Sequence, residues 1–273
     1  MSFLYRSRFP DLWIPLENPS GAVELNRKHW AVNSDLAGMW VLNGNDPPID
    51  LVTGRPSTKT GTVTLVDGNR GQQNYFNNAN NYYQVGPGAI LANKPSFSIM
   101  AGAQLNSSVK ADGRVLYCER AASGNDILKL IQQGGDVKLQ SVYRNDAGNL
   151  QFNGGSANIA DGLQHVHSWS FNAGSSGNRI FTDGVLVGTA TYGNSTTQTD
   201  AIVPLIGGDA QDTLAWWGDY ISWVAIWTRA LGDDEISYLS ANWKEMLQSR
   251  SRRVWGIATS AAATYLARPR WWG

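Results

Sequence analysis

The side chains that most readily do chemistry are sparse in this sequence. Retaining glycoside hydrolysis takes two carboxylates about 5–5.5 Å apart facing one groove. The one run of acids, Asp233-Asp234-Glu235, stands directly before an apolar stripe of helical spacing. Carboxylates there suit the positive end of a helix dipole, so they read as a helix start and no catalytic residue is assigned. His165 and His167 lie two apart, which on a strand turns both rings to one face. Such a pair can ligate a metal, but His29 stands far off near the N-terminus, and the two read as ordinary strand residues. Cys118 is the single cysteine, which excludes an intrachain disulfide and a multi-cysteine metal centre. It sits in a strand-like run, Arg114 to Glu119, and reads as a buried inert thiol. No Ser–His–Asp order stands out, and neither G-x-x-x-x-G-K-S/T nor G-x-G-x-x-G occurs, so nucleotide binding has no support.

Two segments offer binding chemistry. Gly207 to Asp212 carries Asp209 and Asp212. Carboxylates and loop carbonyls are calcium ligands, so calcium is the one cofactor this loop could hold; the alternative is a solvated turn. Sugar binding needs an exposed aromatic plate beside planar polar side chains. Trp216-Trp217 lies in the loop from Asp212 to Asp219, and Asn77, Asn78, Asn80 and Asn81 crowd Tyr82-Tyr83. The candidate ligand set is therefore Trp216, Asp209, Asp212, Asn78 and Asn80.

Turns and strands must position these groups. Of 273 residues, 16% are charged, and Lys+Arg and Asp+Glu number 22 each. The charged share is well below the usual ~25%, and a balanced chain lacks the basic excess of a polyanion binder. With 29 Gly and 12 Trp, polarity comes from amides, hydroxyls and glycine, a composition for many strands and turns. Met1 to Pro10 is interrupted by Arg6 and Arg8 and does not read as a secretory signal. No apolar run approaches the ~18 residues of a membrane span.

Strand-like runs flank glycine turns. Thr62–Val66 leads into Asp67-Gly68, Ile127–Gln133 and Asp136–Tyr143 flank Gly134-Gly135, and Arg179–Thr182 and Val185–Gly188 flank Asp183-Gly184. Asp-Gly tolerates the positive φ of a two-residue hairpin turn. Tyr220–Trp227 is apolar on both faces and predicts a central strand covered on each side. One helix is predicted over Asp233 to Leu247. Gly232 is its N-cap, Glu235 reaches back to the cap, Leu231 and Ile236 form a staple, and Ile236, Leu239, Trp243 and Met246 form the buried stripe. The chain divides into an arm at 1–33, one sandwich at 34–247, and a tail at 248–273.

Three stretches carry a resemblance. Leu36–Gly44 with Ile49–Gly54 and Gly61–Val63 is similar to an opening tryptophan strand, an aspartate-to-glycine turn and a second strand. Gln164–Val166 through Ile180–Gly188 looks like a central hairpin, and Trp217–Ser222 through Ile226–Ile236 resembles a closing signature. Together they resemble the concanavalin A-like, laminin G-like jelly roll over roughly 200 residues. The sequence departs from that pattern at Gly232, where a serine cap is usual, and at Gln164, where tryptophan is usual. The resemblance implies an all-β antiparallel sandwich with one short C-terminal helix and extended terminal arms. It places Trp217 in the core, leaving Trp216 as the free aromatic. The facing acid pair of the glycosidases on this fold, spaced E-x-D-x-x-E, is missing here, so the reading is not an enzyme.

The ends carry a different signal. Phe3, Tyr5, Phe9 and Trp13 precede the body; Arg252, Arg253, Trp255, Tyr265, Trp271 and Trp272 follow it. Arms without a core of their own do not leave such aromatics in water, and aromatics with arginine are interface residues. These ten are the candidate interface, and folding back on the sandwich is the competing reading. The tail from Ser249 to Trp255 looks like proteins of tailed bacteriophages and prophages. The expectation is a non-catalytic structural or accessory protein of a virion, a head decoration or a neck or tail component. Its arms anchor it among other virion proteins and copies of itself, and the sandwich is displayed toward a cell-surface glycan, with no membrane or nucleic-acid partner. A stand-alone carbohydrate-binding module is the alternative, and a glycoside hydrolase the third.

Overall fold

A computed structural model describes residues 23–42, 46–68, 71–76, 81–106, 113–121, 126–133, 135–144, 150–173, 177–191, 202–209 and 217–249. The strands open with β1 (Val23–Leu25), β2 (Leu36–Val41), β3 (Thr58–Thr60), β4 (Thr64–Gly68), β5 (Gly71–Tyr75) and β6 (Tyr82–Gln84). Long strands follow: β7 (Ser96–Gln104), β8 (Arg114–Ala121), β9 (Asp126–Gln132), β10 (Lys138–Arg144), β11 (Leu150–Asn158) and β12 (Gln164–Asn172). The last are β13 (Asn178–Thr182), β14 (Val185–Ala190), β15 (Ile202–Ile206), β16 (Tyr220–Trp227) and, after helix α1 (Asp233–Asn242), β17 (Leu247–Ser249).

They form an antiparallel sandwich. One seven-stranded sheet runs β11-β10-β9-β8-β15-β6-β3; the eight-stranded sheet runs β14-β13-β12-β7-β16-β5-β4, with β2 also paired to β16. Between them lie Trp40, Phe97, Trp169, Phe171, Tyr143 and Trp217, all essentially fully buried. Phe97 packs edge-on against Trp169 with centroids 4.8 Å apart, the favoured aromatic geometry.

The predicted central strand is β16, and its two apolar faces have a physical cause. Ile221, Val224 and Ile226 enter the inter-sheet core. Trp223, Ala225 and Trp227 enter a second core on the sheet's outer face. A bulge between Ile221 and Trp223 shifts the alternation. The second core is closed by α1 and the 3-10 turn Trp243–Met246, whose Ile236, Leu239, Trp243 and Met246 are buried as the stripe predicts. Trp223 stacks on Trp243 at 4.6 Å. The Gly232 N–H donates to Glu235 at 2.9 Å, the half of the capping box open to a glycine.

Four local expectations are corrected. The helix ends at Asn242 and tightens into the 3-10 turn, rather than running to Leu247. Asp67 and Gly68 belong to β4, where Asp67 pairs with Gln72 and Gly68 with Gly71, so they are not the turn. The partner of β9 begins at Lys138 rather than Asp136. Residues 23–33 are not an arm: Leu25, Ala31 and Val32 are buried in the second core, and β1 pairs with β17 through Val23↔Ser249 and Leu25↔Leu247. Their apolar side chains gain more by covering the exposed sheet than by staying extended. Phe3, Tyr5, Phe9, Trp13, Arg252, Arg253, Trp255, Tyr265, Trp271 and Trp272 lie outside the described residues.

The Asp183-Gly184 turn forms as expected, with φ of 52° and 78°. A Cβ on Gly184 would lie 2.8 Å from the Cα of Ser237 in α1, so both backbone conformation and helix contact require glycine. Gly184→Ala is expected to cost about 1–3 kcal/mol, read as a lower urea midpoint at unchanged m-value.

Candidate functional site

A cleft of about 690 Å³ is lined by Ala37 of β2, by Thr58 and Gln84 of paired strands β3 and β6, and by two loops. That volume falls in the range of ligand pockets, roughly 300–1,000 Å³. The first loop is shaped by Asp50. Its Oδ1 accepts the N–H groups of Met39 and Val52, each at 3.0 Å, and its Oδ2 accepts the Thr53 hydroxyl at 2.7 Å. The Gly54 N–H closes the turn onto the Asp50 carbonyl at 2.7 Å. This is the aspartate-to-glycine turn seen in the sequence, and its product is to hold Thr53 and the exposed Arg55 at the cleft. A carboxylate with three donors on it is a turn anchor rather than an acid or base.

The second loop, through Gly86, Gly88 and Ile90, is held by Glu119. This fully buried carboxylate accepts N–H groups from Ile90 at 3.1 Å, Leu91 at 2.7 Å and Ala92 at 2.8 Å, and the Tyr117 hydroxyl at 2.9 Å. Burial pushes its carboxyl up, and these four donors pull it back. The cleft thus offers one guanidinium, two threonines, an amide and glycine backbone on a rigid frame. Sequence reasoning missed Arg55, Thr58 and Gln84, since only strand pairing joins β3 to β6. The one local signal was the aspartate-to-glycine turn.

The sequence-derived candidates separate. Asp209 is buried, with ion pairs to Lys129 at 2.7 Å and to Arg120. Two cations neutralise it where calcium would need free carboxylate, which corrects its reading as a ligand-binding or calcium residue. Asp212, Trp216, Asn78 and Asn80 lie outside the described residues. Trp217 is fully buried, its indole N–H shared between the carbonyls of Gln104 and Tyr220 at 3.0 and 3.1 Å. Cys118 is buried, its thiol 3.6 Å from the Gly208 carbonyl.

The two histidines share a face but not an environment. His165 sits between two acids, Nδ1 at 2.6 Å from Asp183 and Nε2 at 3.0 Å from Asp161, and the Asp183 bond holds its pKa above the usual value. His167 is wholly buried, neither ring nitrogen has a partner among the described residues, and burial pushes its pKa down to about 3. Among the described residues no cluster of three or more His, Cys, Asp or Glu could hold a metal.

Residues 77–237 match the family described as the concanavalin A-like lectin/glucanases superfamily. The chain belongs to that superfamily. The matched segment runs from the end of β5 into α1, so the superfamily domain contains Gln84 to Ile90 of the cleft, while Asp50 to Thr58 precede it. No curated protein sequence matches the chain. Among solved structures, domain 4 of the GH43 extracellular arabinanase AbnA from Geobacillus stearothermophilus, in complex with arabinotriose, is 17% identical. Its TM-score is 0.58, over 76% of this chain and 98% of that one. Trypanosoma rangeli sialidase in complex with sialic acid is 14% identical, TM-score 0.58, over 78% of this chain and 34% of the sialidase. The binding domain of Botulinum neurotoxin DC in complex with SialylT is 13% identical, TM-score 0.53, over 76% and 51%. At such identities the likeness is one of fold.

Proposed function

We propose that this superfamily domain is a non-catalytic glycan-binding display module, held in a larger assembly by its two terminal arms. The observation that carries the reading is the β1–β17 ribbon. Val23 pairs with Ser249, so the two residues from which the aromatic segments 1–22 and 250–273 continue in sequence are strand neighbours. Segments rich in Trp, Tyr, Phe and Arg that start from paired strand ends suit a bipartite anchor. The resemblance of the tail to bacteriophage proteins favours a virion as that assembly, with other virion proteins and further copies of the chain as partners.

The cleft supports the glycan part. Its hydroxyl, amide and guanidinium groups suit a hydroxylated ligand, and Arg55 suits one carrying a carboxylate. Domain 4 of the arabinanase, a similar sandwich covered over nearly its whole length, is described in complex with arabinotriose. Its carboxylate, Asp50, is consumed by the turn, so binding without hydrolysis is the chemistry left to it. A chain limited to residues 23–249 is expected to melt within a few degrees of the full protein, to keep glycan binding and to be absent from purified particles by mass spectrometry. Incorporation of that truncation at normal copy number would overturn the anchor. Arg55→Ala is expected to weaken an acidic glycan about tenfold, the worth of one charge-assisted hydrogen bond. Release of reducing ends from a bound polysaccharide would overturn the non-catalytic assignment.

A further inference from the structure

Strand register sets out a second group of residues that shares nothing with the cleft. Thr64 pairs with Tyr75, Tyr75 with Tyr220, Tyr220 with Gln104 and Gln104 with Gln164. These five residues form one row across β4, β5, β16, β7 and β12 on the outer face of the eight-stranded sheet. Four steps of about 4.8 Å make the row roughly 19 Å long.

Its middle is an aromatic pair. The half-buried rings of Tyr75 and Tyr220 lie 5.0 Å apart, tilted by 35°. Beside them Gln104 and Gln164 are 6% and 8% exposed, and neither amide oxygen has a partner among the described residues. The orientation of Gln104 follows from its neighbours. Asp219 can only accept, and it takes both the backbone N–H and the side-chain amide N–H of Asn106, the latter at 2.8 Å. The Asn106 oxygen is therefore the acceptor for the Gln104 amide N–H at 3.3 Å, which leaves the Gln104 oxygen free. Gln164 donates to the Ser222 hydroxyl, and its oxygen is likewise free. A buried acceptor without a donor carries the full cost of its desolvation, and here two stand adjacent, next to an aromatic pair.

We propose that this row is a binding strip for a neutral saccharide. The tyrosine rings take the apolar face of a sugar, and the two amide oxygens accept its hydroxyls. No side chain of the row is charged. Asp219, beside the row, is held by Asn106 and is offset by the Arg114 guanidinium, so the row has no charge of its own with which to recruit the acidic ligands that Arg55 suits. The inference shares a ligand class with the cleft reading but none of its residues.

The test titrates the full chain calorimetrically with arabinotriose, cellotriose and maltotriose. At least one is expected to bind, with Tyr220→Ala and Gln104→Met each weakening it tenfold or more. Gln104→Met is also expected to leave the melting temperature unchanged or raised, because an unpaired buried acceptor is replaced by an apolar side chain of similar shape. A merely structural glutamine would lose stability and keep affinity. No binding up to 10 mM, or affinity indifferent to both strip variants, overturns the proposal. Affinity lost only in Arg55→Ala overturns the strip and leaves the cleft reading standing.

Discussion

Glu119→Ala is expected to lower the melting temperature by about 10–15 °C. The carboxylate is wholly buried and takes three backbone N–H groups and the Tyr117 hydroxyl. Removing it leaves several buried donors unpaired at about 1–3 kcal/mol each, partly relieved as the loop relaxes, for a net loss of about 3–5 kcal/mol. For a domain of this size 1 kcal/mol corresponds to roughly 2–4 °C. Glu119→Gln is expected to keep part of the loss, since its amide nitrogen would face a donor. Because Ile90 lines the cleft, the alanine variant should also weaken any cleft ligand. Calorimetric melts beside a binding titration check both; a change under 3 °C would show that the 90–92 loop is held by something else.

Stability is expected to fall on both sides of neutrality, and the histidine pair gives the sign on each side. His167 is buried and neutral, with its pKa pushed down to about 3. Below the ordinary value of about 6.5 the unfolded chain takes a proton that the folded chain refuses, so stability falls by about 1.4 kcal/mol per pH unit down to pH ~3. That totals about 4–5 kcal/mol over the window. His165 acts in the opposite sense. Its hydrogen bond to Asp183 raises its pKa, so its contribution is complete below about 6.5 and is lost as pH rises through the folded value. Burial alone would raise Asp183 and Asp161, but their bonds to His165 and to backbone N–H groups hold both below the usual range. Their contribution is lost only in strong acid. Urea midpoints at pH 4.5, 7 and 9 test this. His167→Phe should remove about 2–3 kcal/mol of the difference between pH 7 and 4.5, and Asp183→Asn should flatten the alkaline limb. Parallel profiles for wild type and His167→Phe would show that the acid limb arises elsewhere.

What the sequence determined by itself was decided over short distances. The positive φ at Asp183-Gly184, the glutamate three residues after the Gly232 cap, and the helical spacing of Ile236, Leu239, Trp243 and Met246 each depend on residues a few positions apart. Local sterics and hydrogen bonding settle such features, so they are readable in one dimension. The doubly apolar run Tyr220–Trp227 is readable for the same reason, because a strand covered on both faces leaves no polar alternation. The sites obeyed a different logic. Asp50 is legible in the sequence only as part of a turn and Glu119 only as the end of a strand-like run, yet each anchors a backbone loop of the cleft. Asp209 looks like a cation ligand, yet the ion pairs with Lys129 and Arg120 occupy it. The Tyr75–Tyr220–Gln104–Gln164 row and the ribbon joining Val23 to Ser249 exist only through strand register. Register is set by long-range pairing and by bulges such as the one at Ser222, and a slip of one residue would turn every one of those side chains to the opposite face. Tertiary structure alone decided which polar groups are spent and which remain to meet a ligand.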